Sequence, residues 1–277
     1  MNNLDARSLI KMCTAHISNF PNILKDLNFY CIEKNIIKLP LQLTDDEDIS
    51  IQNIELIYKD FFQQYIQHQP LDYILKSSKF YGLDIYVNQN VLIPRPETEI
   101  LVDCVSNMNL DPRAIVDAGC GSGCISIALS ILFPQSLIIS IDRSIQALKV
   151  TKINCNKHKC QNIKIFHGDW LDAIRPNSID LIVSNPPYIK RNDTHLEHLQ
   201  SEPQDALIAG SNGLESYQKL LSQSEIKLKP GGLLALEHGY NQKESLLTLT
   251  RKYNFKVIKA LKDFQKLDRV IILEKSD

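Results

Sequence analysis

Residues 114–123 read AIVDAGCGSG, a short β-forming run that leads into a loop with three glycines, and the apolar stretch CISIALSIL follows it. Glycines at this place let the backbone turn sharply and let a ligand lie against the main chain. The spacing differs from a dinucleotide fingerprint, whose third glycine would fall on Cys124, and no lysine follows to make a phosphate-binding P-loop. The stretch therefore predicts a strand, a ligand-binding turn and a helix.

Apolar strands and helices alternate after this loop. Strands are predicted at 114–118, 137–141, 163–166, 179–184 and 232–237, with helices near 124–132, 144–156 and 213–228. Continuous apolar strands separated by helices indicate a parallel sheet covered on both faces. The last two predicted strands, 255–260 and 269–274, have only a short loop between them, so the final strand is expected to run antiparallel. The prediction is an α/β, Rossmann-like fold with a mostly parallel seven-stranded sheet.

Polar and aromatic residues follow the next two strands. Asp142 ends the second strand, and Asp169 and Trp170 follow the third. Ligands of open parallel sheets bind at the carboxyl ends of the strands, where an acid can accept both hydroxyls of a ribose and an indole can cover a purine. With the glycine loop, this set predicts S-adenosyl-L-methionine, which has a ribose and an adenine but no phosphate. The antiparallel last strand is also typical of the class I methyltransferase fold.

The fourth strand ends in SNPPYIK at 184–190. The Asn185 side-chain oxygen and the Pro186 carbonyl can each accept one N–H of a planar NH2 group and aim its nitrogen at a methyl donor. The prolines hold these acceptors rigidly and add no competing N–H. Tyr188 can stack on a planar substrate or cover a cationic sulfonium. The turn resembles the signature of methyltransferases that act on adenine N6, guanine N2 or a glutamine amide, and it does not choose among them.

The N-terminal part is predicted to be a separate helical domain over residues 1–76. Through residue 80 we count eight Lys or Arg and ten Asp or Glu, a net charge of −2 (8 − 10), which disfavours nucleic-acid binding and favours a protein partner. Residues 79–93, KFYGLDIYVNQNVLI, predict a β-hairpin that turns at 88–90. We therefore expect a hairpin linker over 77–96 and a catalytic domain over 97–277.

The composition of the whole chain argues against several classes of protein. The net charge is −1, so no global basic field indicates nucleic acid. Seven cysteines without a CxxC pair or a signal-peptide pattern indicate reduced thiols and a cytoplasmic protein. No apolar run approaches the roughly 20 residues of a membrane span. HLEH at 195–198 lacks the spacing of the zinc motif HExxH, and CNKHKC at 155–160 brings Cys and His close together but has no second ligand pair, so no metal is expected.

Several blocks in chain order resemble the peptide chain release factor glutamine-N5 methyltransferases, the HemK-type family. They are PLDYIL (70–75), FYGL (80–83), LIPRPETE (92–99), DAGCGSG (117–123), GDW (168–170), SNPPYI (184–189), EPQDAL (202–207), GLESY (213–217), LKPGG (228–232), EHGYNQ (237–242) and DRVI (268–271). The resemblance covers residue 70 to the end, and IPRPETE together with NPPY and EPQDAL is its most specific part.

The resemblance implies methylation of the glutamine in the Gly-Gly-Gln motif of class I release factors, with the N-terminal domain binding the release factor. Cofactor contacts would come from Gly119, Cys120, Gly121, Ser122, Gly123, Asp142, Trp170 and Asn185. Asn185, Pro186, Pro187 and Tyr188 would hold the glutamine, with Asn185, Pro186 and Tyr188 as the catalytic residues. Asp169 and Thr98 are further candidates, for the adenine and for the methionine part of the cofactor. The alternative is an adenine-N6 or guanine-N2 methyltransferase acting on DNA or RNA.

Several positions depart from the family pattern. Lys76 stands where a glycine is usual, Asp72 replaces a glutamine, and Cys120 replaces a threonine. The segment Gln265-Lys266-Leu267 lacks the glycine usual before the Asp-Arg pair. None of these positions belongs to the proposed acceptors, so the departures bear on loop geometry and partner fit.

Overall fold

The computed structural model describes residues 6–38, 53 and 56–276. The chain divides into two compact units between Ser77 and Ser78. Within the described residues, no helix combines the length and the apolar character needed to cross a membrane.

The first unit consists of helices and turns wherever it is described. Its helices are α1 (Ala6–His16), α2 (Ile23–Glu33), a π-helical stretch (Ile57–Phe62) that continues as Gln63–Tyr65, and α3 (Leu71–Leu75). The buried face of α2 carries Ile23, Leu27, Tyr30 and Cys31, at the spacing of three to four residues expected of an amphipathic helix. These side chains join the unit's apolar core. The predicted helical character of this region is confirmed there; the part of it at 39–52 lies outside the described residues.

A β-hairpin opens the second unit. Strand β1 (Ser78–Phe80) pairs antiparallel with β2 (Leu83–Ile85). Tyr81 and Gly82 form the turn, and both have positive φ (52° and 73°), as a two-residue hairpin turn of type I′ requires. The Tyr81 N–H donates to Glu99 Oε1 at 2.7 Å, which helps to hold the turn. The hairpin was predicted, but its turn was placed wrongly at 88–90.

The segment 88–91 forms a separate turn after the hairpin. The Val91 N–H donates to the Asn88 carbonyl at 3.1 Å, and the Asn90 N–H donates to the Asn88 side chain at 3.0 Å. The asparagines therefore do mark a turn, as their side-chain chemistry favours. The residues on its two sides do not pair as strands.

The second unit is built on a seven-stranded sheet in the order β5-β4-β3-β6-β7-β9-β8. The strands are β3 (Ala114–Ala118), β4 (Leu137–Asp142), β5 (Ile163–His167), β6 (Ile179–Ser184), β7 (Leu228–Glu237), β8 (Phe255–Lys262) and β9 (Asp268–Lys275). The helices are α4 (Pro96–Ser106), α5 (Cys124–Leu132), α6 (Ile145–Lys157), α7 (Glu215–Lys227) and α8 (Lys243–Thr250). Strands β3 to β7 are mutually parallel, and β9 is antiparallel to both of its neighbours. The predicted sheet and its antiparallel last strand are confirmed.

The central strands are buried on both faces. In β6 every residue except Asp180 is buried, although the side chains of a strand alternate between its two faces. This explains why β3 and β6 read as continuous apolar runs instead of alternating ones. The chain runs from β3 outward to β5 and then returns to β6 on the other side of β3. That reversal opens a crevice at the carboxyl ends of β3 and β6, the usual ligand position in such sheets.

Candidate active site

A cavity of about 900 Å³ lies at the carboxyl edge of the sheet. Eight of the residues predicted for the site line it: Gly119, Cys120, Gly121, Ser122, Asp142, Trp170, Asn185 and Pro187. The other three, Gly123, Pro186 and Tyr188, lie beside it without forming its wall. Asp169 and Thr98 also line the cavity. The structure thus gathers residues from four strand ends and from the start of α4 around one space.

The glycine loop connects β3 to α5 through three left-handed residues. Gly119, Gly121 and Gly123 have φ of 78°, 53° and 81°, a region that side chains strongly disfavour. The N–H groups of Gly119 and Cys120 both donate to the Ile141 carbonyl, at 2.8 and 2.9 Å. This pins the loop to the end of β4.

The roles of the glycines differ with their surroundings. A Cβ on Gly123 would lie 2.8 Å from Thr151 Cγ2, so helix α6 packs against this position. A Cβ on Gly121 would meet no heavy atom within 4 Å, so the loop is open to the cavity there. Gly123 therefore serves packing, and Gly121 leaves room for a ligand.

The Asp142 carboxylate is held by backbone donors on both of its oxygens. The Gly121 N–H donates to Oδ2 at 2.9 Å, and the Ser144 N–H donates to Oδ1 at 2.8 Å. Burial raises the pKa of Asp142, and these two hydrogen bonds oppose that shift. Each carboxylate oxygen keeps a second acceptor position, so the group can receive the two hydroxyls of a diol.

Trp170 places its indole beside the loop. Its φ is 55°, and ring atom Cζ3 lies 3.4 Å from the position that a Cβ on Gly119 would take. Asp169, the candidate acceptor for an adenine amine, forms an ion pair with Lys219. Its carboxylate therefore already has a cationic partner at the cavity wall.

The turn after β6 presents Asn185 to the cavity in a fixed orientation. Asn185 Nδ2 donates to Thr98 Oγ1 at 3.0 Å, and Thr98 Oγ1 donates to Glu237 Oε2 at 2.7 Å. Among the residues that the structure describes, none donates to Asn185 Oδ1. The acceptor oxygen of this amide is therefore available to a ligand, while its NH2 group is engaged by Thr98.

Tyr188 points its hydroxyl away from the cavity. The hydroxyl lies 3.5 Å from Glu237 Oε1, and burial, with the nearby Glu237 charge, raises the pKa of this phenol. Its main-chain carbonyl accepts from Gln242 Nε2 at 2.9 Å. The turn is thus fixed from behind by β7 and by the residues that follow it.

Glu237 is the buried carboxyl group of this region. It ends β7 and is 1% exposed. Burial raises its pKa to about 7, opposed by the hydrogen bond from Thr98 and by the positive charge of Arg269. Sequence reasoning gave it no role, although it is the first residue of the EHGYNQ block.

A second long-range contact joins Arg95, which lines the cavity, to Glu202. Arg95 Nη2 forms an ion pair with Glu202 Oε1 at 2.5 Å, and the Ile93 N–H donates to Glu202 Oε2 at 3.1 Å. Glu202 is almost fully buried. The IPRPETE and EPQDAL blocks are therefore in direct contact. In the sequence these blocks indicated only a resemblance to the family.

The site contains no arrangement suited to a metal in the described part of the chain. There, no group of three or more His, Cys, Asp or Glu side chains is placed to hold an ion.

Comparison with known proteins identifies the family. The methyltransferase small domain model matches residues 96–211. The chain is 37% identical over 214 residues to the release factor glutamine methyltransferase of Coxiella burnetii, covering 76% of this chain and 77% of that one. It is 36% identical over 240 residues to the protein of the same name from Buchnera aphidicola, covering 83% and 86%.

Solved structures share the fold. A methyltransferase from Pyrococcus furiosus superposes with a TM-score of 0.56 at 17% identity, covering 82% of this chain and 99% of that one. The sheet order and its antiparallel last strand are those of the class I methyltransferases. Identity of this level over most of both chains establishes kinship with the Coxiella and Buchnera proteins, so the chain belongs to the release factor glutamine methyltransferase family.

Proposed function

We propose that the protein transfers a methyl group from S-adenosyl-L-methionine to the side-chain amide nitrogen, N5, of the glutamine in the Gly-Gly-Gln motif of class I peptide chain release factors. The names of its relatives, release factor glutamine methyltransferase, support the substrate. The observation that carries the proposal is the orientation of Asn185, whose acceptor oxygen is left for a ligand in a cavity with a glycine loop.

The residues of the cavity fit S-adenosyl-L-methionine. Its volume of about 900 Å³ is within the range of small-molecule sites. Gly121 has no side chain where the loop is open, Asp142 offers carboxylate oxygens to the ribose hydroxyls, and Trp170 offers an indole face to the adenine. When bound, S-adenosyl-L-methionine supplies a methyl group on a cationic sulfur. Gly119, Cys120, Ser122 and Gly123 shape the loop that holds it.

The turn after β6 would bind the glutamine amide. A carboxamide NH2 is a poor nucleophile because its lone pair is delocalised, so it must be oriented rather than simply deprotonated. Asn185 Oδ1 and the Pro186 carbonyl would each accept one of its N–H groups and polarise the nitrogen. Pro187, at the cavity wall, fixes the direction of the turn. The Tyr188 ring, beside the cavity, would stack on the planar amide as it enters.

Methyl transfer to the amide nitrogen requires no reactant besides S-adenosyl-L-methionine and the glutamine. It forms an N–C bond, breaks the methyl–sulfur bond with the electron pair left on sulfur, and releases one amide proton to water. The protein's contribution is positioning and electrostatics, supplied by the oriented acceptors of the turn.

The N-terminal unit would supply recognition of the release factor. We assign residues 1–76 to factor binding, 77–96 to a hairpin linker and 97–277 to catalysis; the contact boundary between Ser77 and Ser78 supports this division. The partner is a protein, with no direct role for nucleic acid or membrane. The reaction would take place in the cytoplasm, which the seven free cysteines support.

Label distribution tests the proposal. The protein is incubated with methyl-labelled S-adenosyl-L-methionine and, in separate reactions, with a class I release factor, the same factor carrying Gln→Glu in its Gly-Gly-Gln motif, tRNA, rRNA and DNA. Mass spectrometry then locates the methyl group. We expect label on the motif glutamine alone and none in the substituted factor. Label in a nucleic acid but in neither protein would overturn the proposal and favour the adenine-N6 or guanine-N2 reaction.

A further inference from the structure

A chain of hydrogen bonds runs from Glu237 through Thr98 to Asn185. We propose that Thr98 and Glu237 are positioning residues, which fix the Asn185 carboxamide with its oxygen toward the cavity and its NH2 group away from it. The inference rests on the proposed function, because it assumes an acceptor for a substrate that carries a planar NH2 group. It adds to that function two residues, from α4 and β7, that do not hold the substrate themselves.

When Glu237 is ionised, the number of protons available allows only one arrangement of these hydrogen bonds. A threonine hydroxyl has one proton, and an ionised carboxylate can only accept. Thr98 Oγ1 lies 2.7 Å from Glu237 Oε2, so its proton goes to Glu237. The Thr98 oxygen can then only accept from Asn185, at 3.0 Å, and the Asn185 atom that faces it must be the NH2 nitrogen.

Burial stabilises these directions of the two hydrogen bonds. Thr98 is 2% exposed and Glu237 is 1% exposed, so water does not compete for the hydroxyl or the carboxylate. A buried donor or acceptor left without a partner is costly, which disfavours any other pairing. Glu237 also faces the Tyr188 hydroxyl. Burial raises the pKa of Glu237 to about 7, opposed by the hydrogen bond from Thr98 and by the positive charge of Arg269, so this arrangement applies above that pH.

The orientation matters because a carboxamide has two nearly isosteric ends. If the hydroxyl proton of Thr98 turned to Asn185, the amide would rotate and present NH2 to the cavity. Two NH2 groups, that of Asn185 and that of the substrate, would then face each other. The acceptor would be lost although every residue of the turn remained.

Thr98→Val is the direct test, because valine has the shape of threonine without the hydroxyl. The matched control is Thr98→Ser, which keeps the hydroxyl. Single-turnover methyl transfer to the release factor is measured for both, and cofactor affinity is followed through Trp170, the sole tryptophan of the chain and part of the cavity wall. We expect Thr98→Val to lower the transfer rate about tenfold to a hundredfold and Thr98→Ser to retain most of it.

Introducing Thr98→Val into an Asn185→Asp protein distinguishes a positioning role of Thr98 from a packing role. In Asn185→Asp both side-chain ends are oxygens, so whichever faces the cavity can accept and no orientation has to be chosen. In that background Thr98→Val should have little further effect on the transfer rate. An equal loss in the wild-type and Asn185→Asp backgrounds would show that Thr98 does not act through the amide and would overturn the inference.

A second variant protects the test against misfolding. Glu237→Gln keeps the shape of the side chain but can donate to Thr98, which releases the hydroxyl proton toward Asn185. It should lower the transfer rate to a similar extent while cofactor binding, read from Trp170, persists. Unchanged rates in both Thr98→Val and Glu237→Gln would refute the inference. A wild-type protein that labels no release factor would instead refute the proposed function, so the two failures are distinguishable.

Discussion

Replacing Gly123 with alanine should destabilise the second unit through two separate effects. Gly123 has φ of 81°, where a non-glycine residue costs about 1–2 kcal/mol. The added Cβ would also lie 2.8 Å from Thr151 Cγ2 and 3.4 Å from Thr151 Cα, and overpacking of this kind costs about 1–3 kcal/mol. The sum is a loss of about 2–5 kcal/mol in the free energy of unfolding.

Gly121→Ala is the matched control for the backbone effect. Gly121 has a similar positive φ, 53°, but its Cβ would meet no heavy atom within 4 Å. Urea unfolding with linear extrapolation should therefore give a loss of only about 1–2 kcal/mol. Adding Thr151→Ser to Gly123→Ala should recover part of the difference in unfolding free energy between Gly123→Ala and Gly121→Ala. Serine lacks the Cγ2 methyl but keeps the hydroxyl that donates to the Gly121 carbonyl at 2.8 Å.

Two results would refute this reasoning. Equal losses in Gly121→Ala and Gly123→Ala would show that the contact with Thr151 carries no energy. A Gly123→Ala protein that Thr151→Ser does not restore would place the strain elsewhere in the loop.

Three further predictions concern the cavity and the core. Asp142→Asn should weaken S-adenosyl-L-methionine binding about tenfold or more, because an NH2 group replaces one carboxylate acceptor; unchanged affinity in a Trp170 fluorescence titration would contradict this. Tyr188→Phe should change the transfer rate less than about threefold, since the hydroxyl faces Glu237 instead of the cavity, whereas loss of the ring in Tyr188→Ala should abolish transfer. Burial raises the pKa of Asp117 from 3.8 to about 7, so the folded state binds its proton more tightly. The contribution of Asp117 to the unfolding free energy should grow by up to about 4 kcal/mol as pH falls through that interval and be lost as pH rises to about 7. Asp117→Asn should remove this part of the pH dependence in urea unfolding measured across the interval, while the part from Glu237, whose pKa burial also raises to about 7, remains.

The strands could be predicted because burial on both faces requires a run of mostly apolar residues, which is visible in the local sequence. β3 and β6 have the residue ranges that the apolar runs indicated, and Asp142 and Trp170 followed from the rule that parallel strands place their carboxyl ends at one edge. β7 begins at Leu228, before the predicted residue 232, because the Lys-Pro-Gly-Gly segment reads as a loop yet extends the strand.

The remaining features depend on contacts that no local pattern records. The hairpin turn was misplaced because Tyr81 takes a positive φ that its residue type does not favour, while 88–90 has the stronger turn composition. Thr98 and Glu237 are 139 positions apart in the chain, and Arg95 and Glu202 are 107 apart. Only the folded sheet brings these pairs together, so their roles could not be assigned from spacing.

In the proposed reaction, Asn185 is the acceptor that holds the substrate amide. The decisive measurement is the single-turnover rate of methyl transfer to the Gly-Gly-Gln glutamine by Asn185→Ala, with cofactor affinity read in parallel from Trp170 fluorescence. We predict that transfer falls by at least about a hundredfold while S-adenosyl-L-methionine still binds. A variant that transfers methyl groups at a rate close to the wild type would contradict the account.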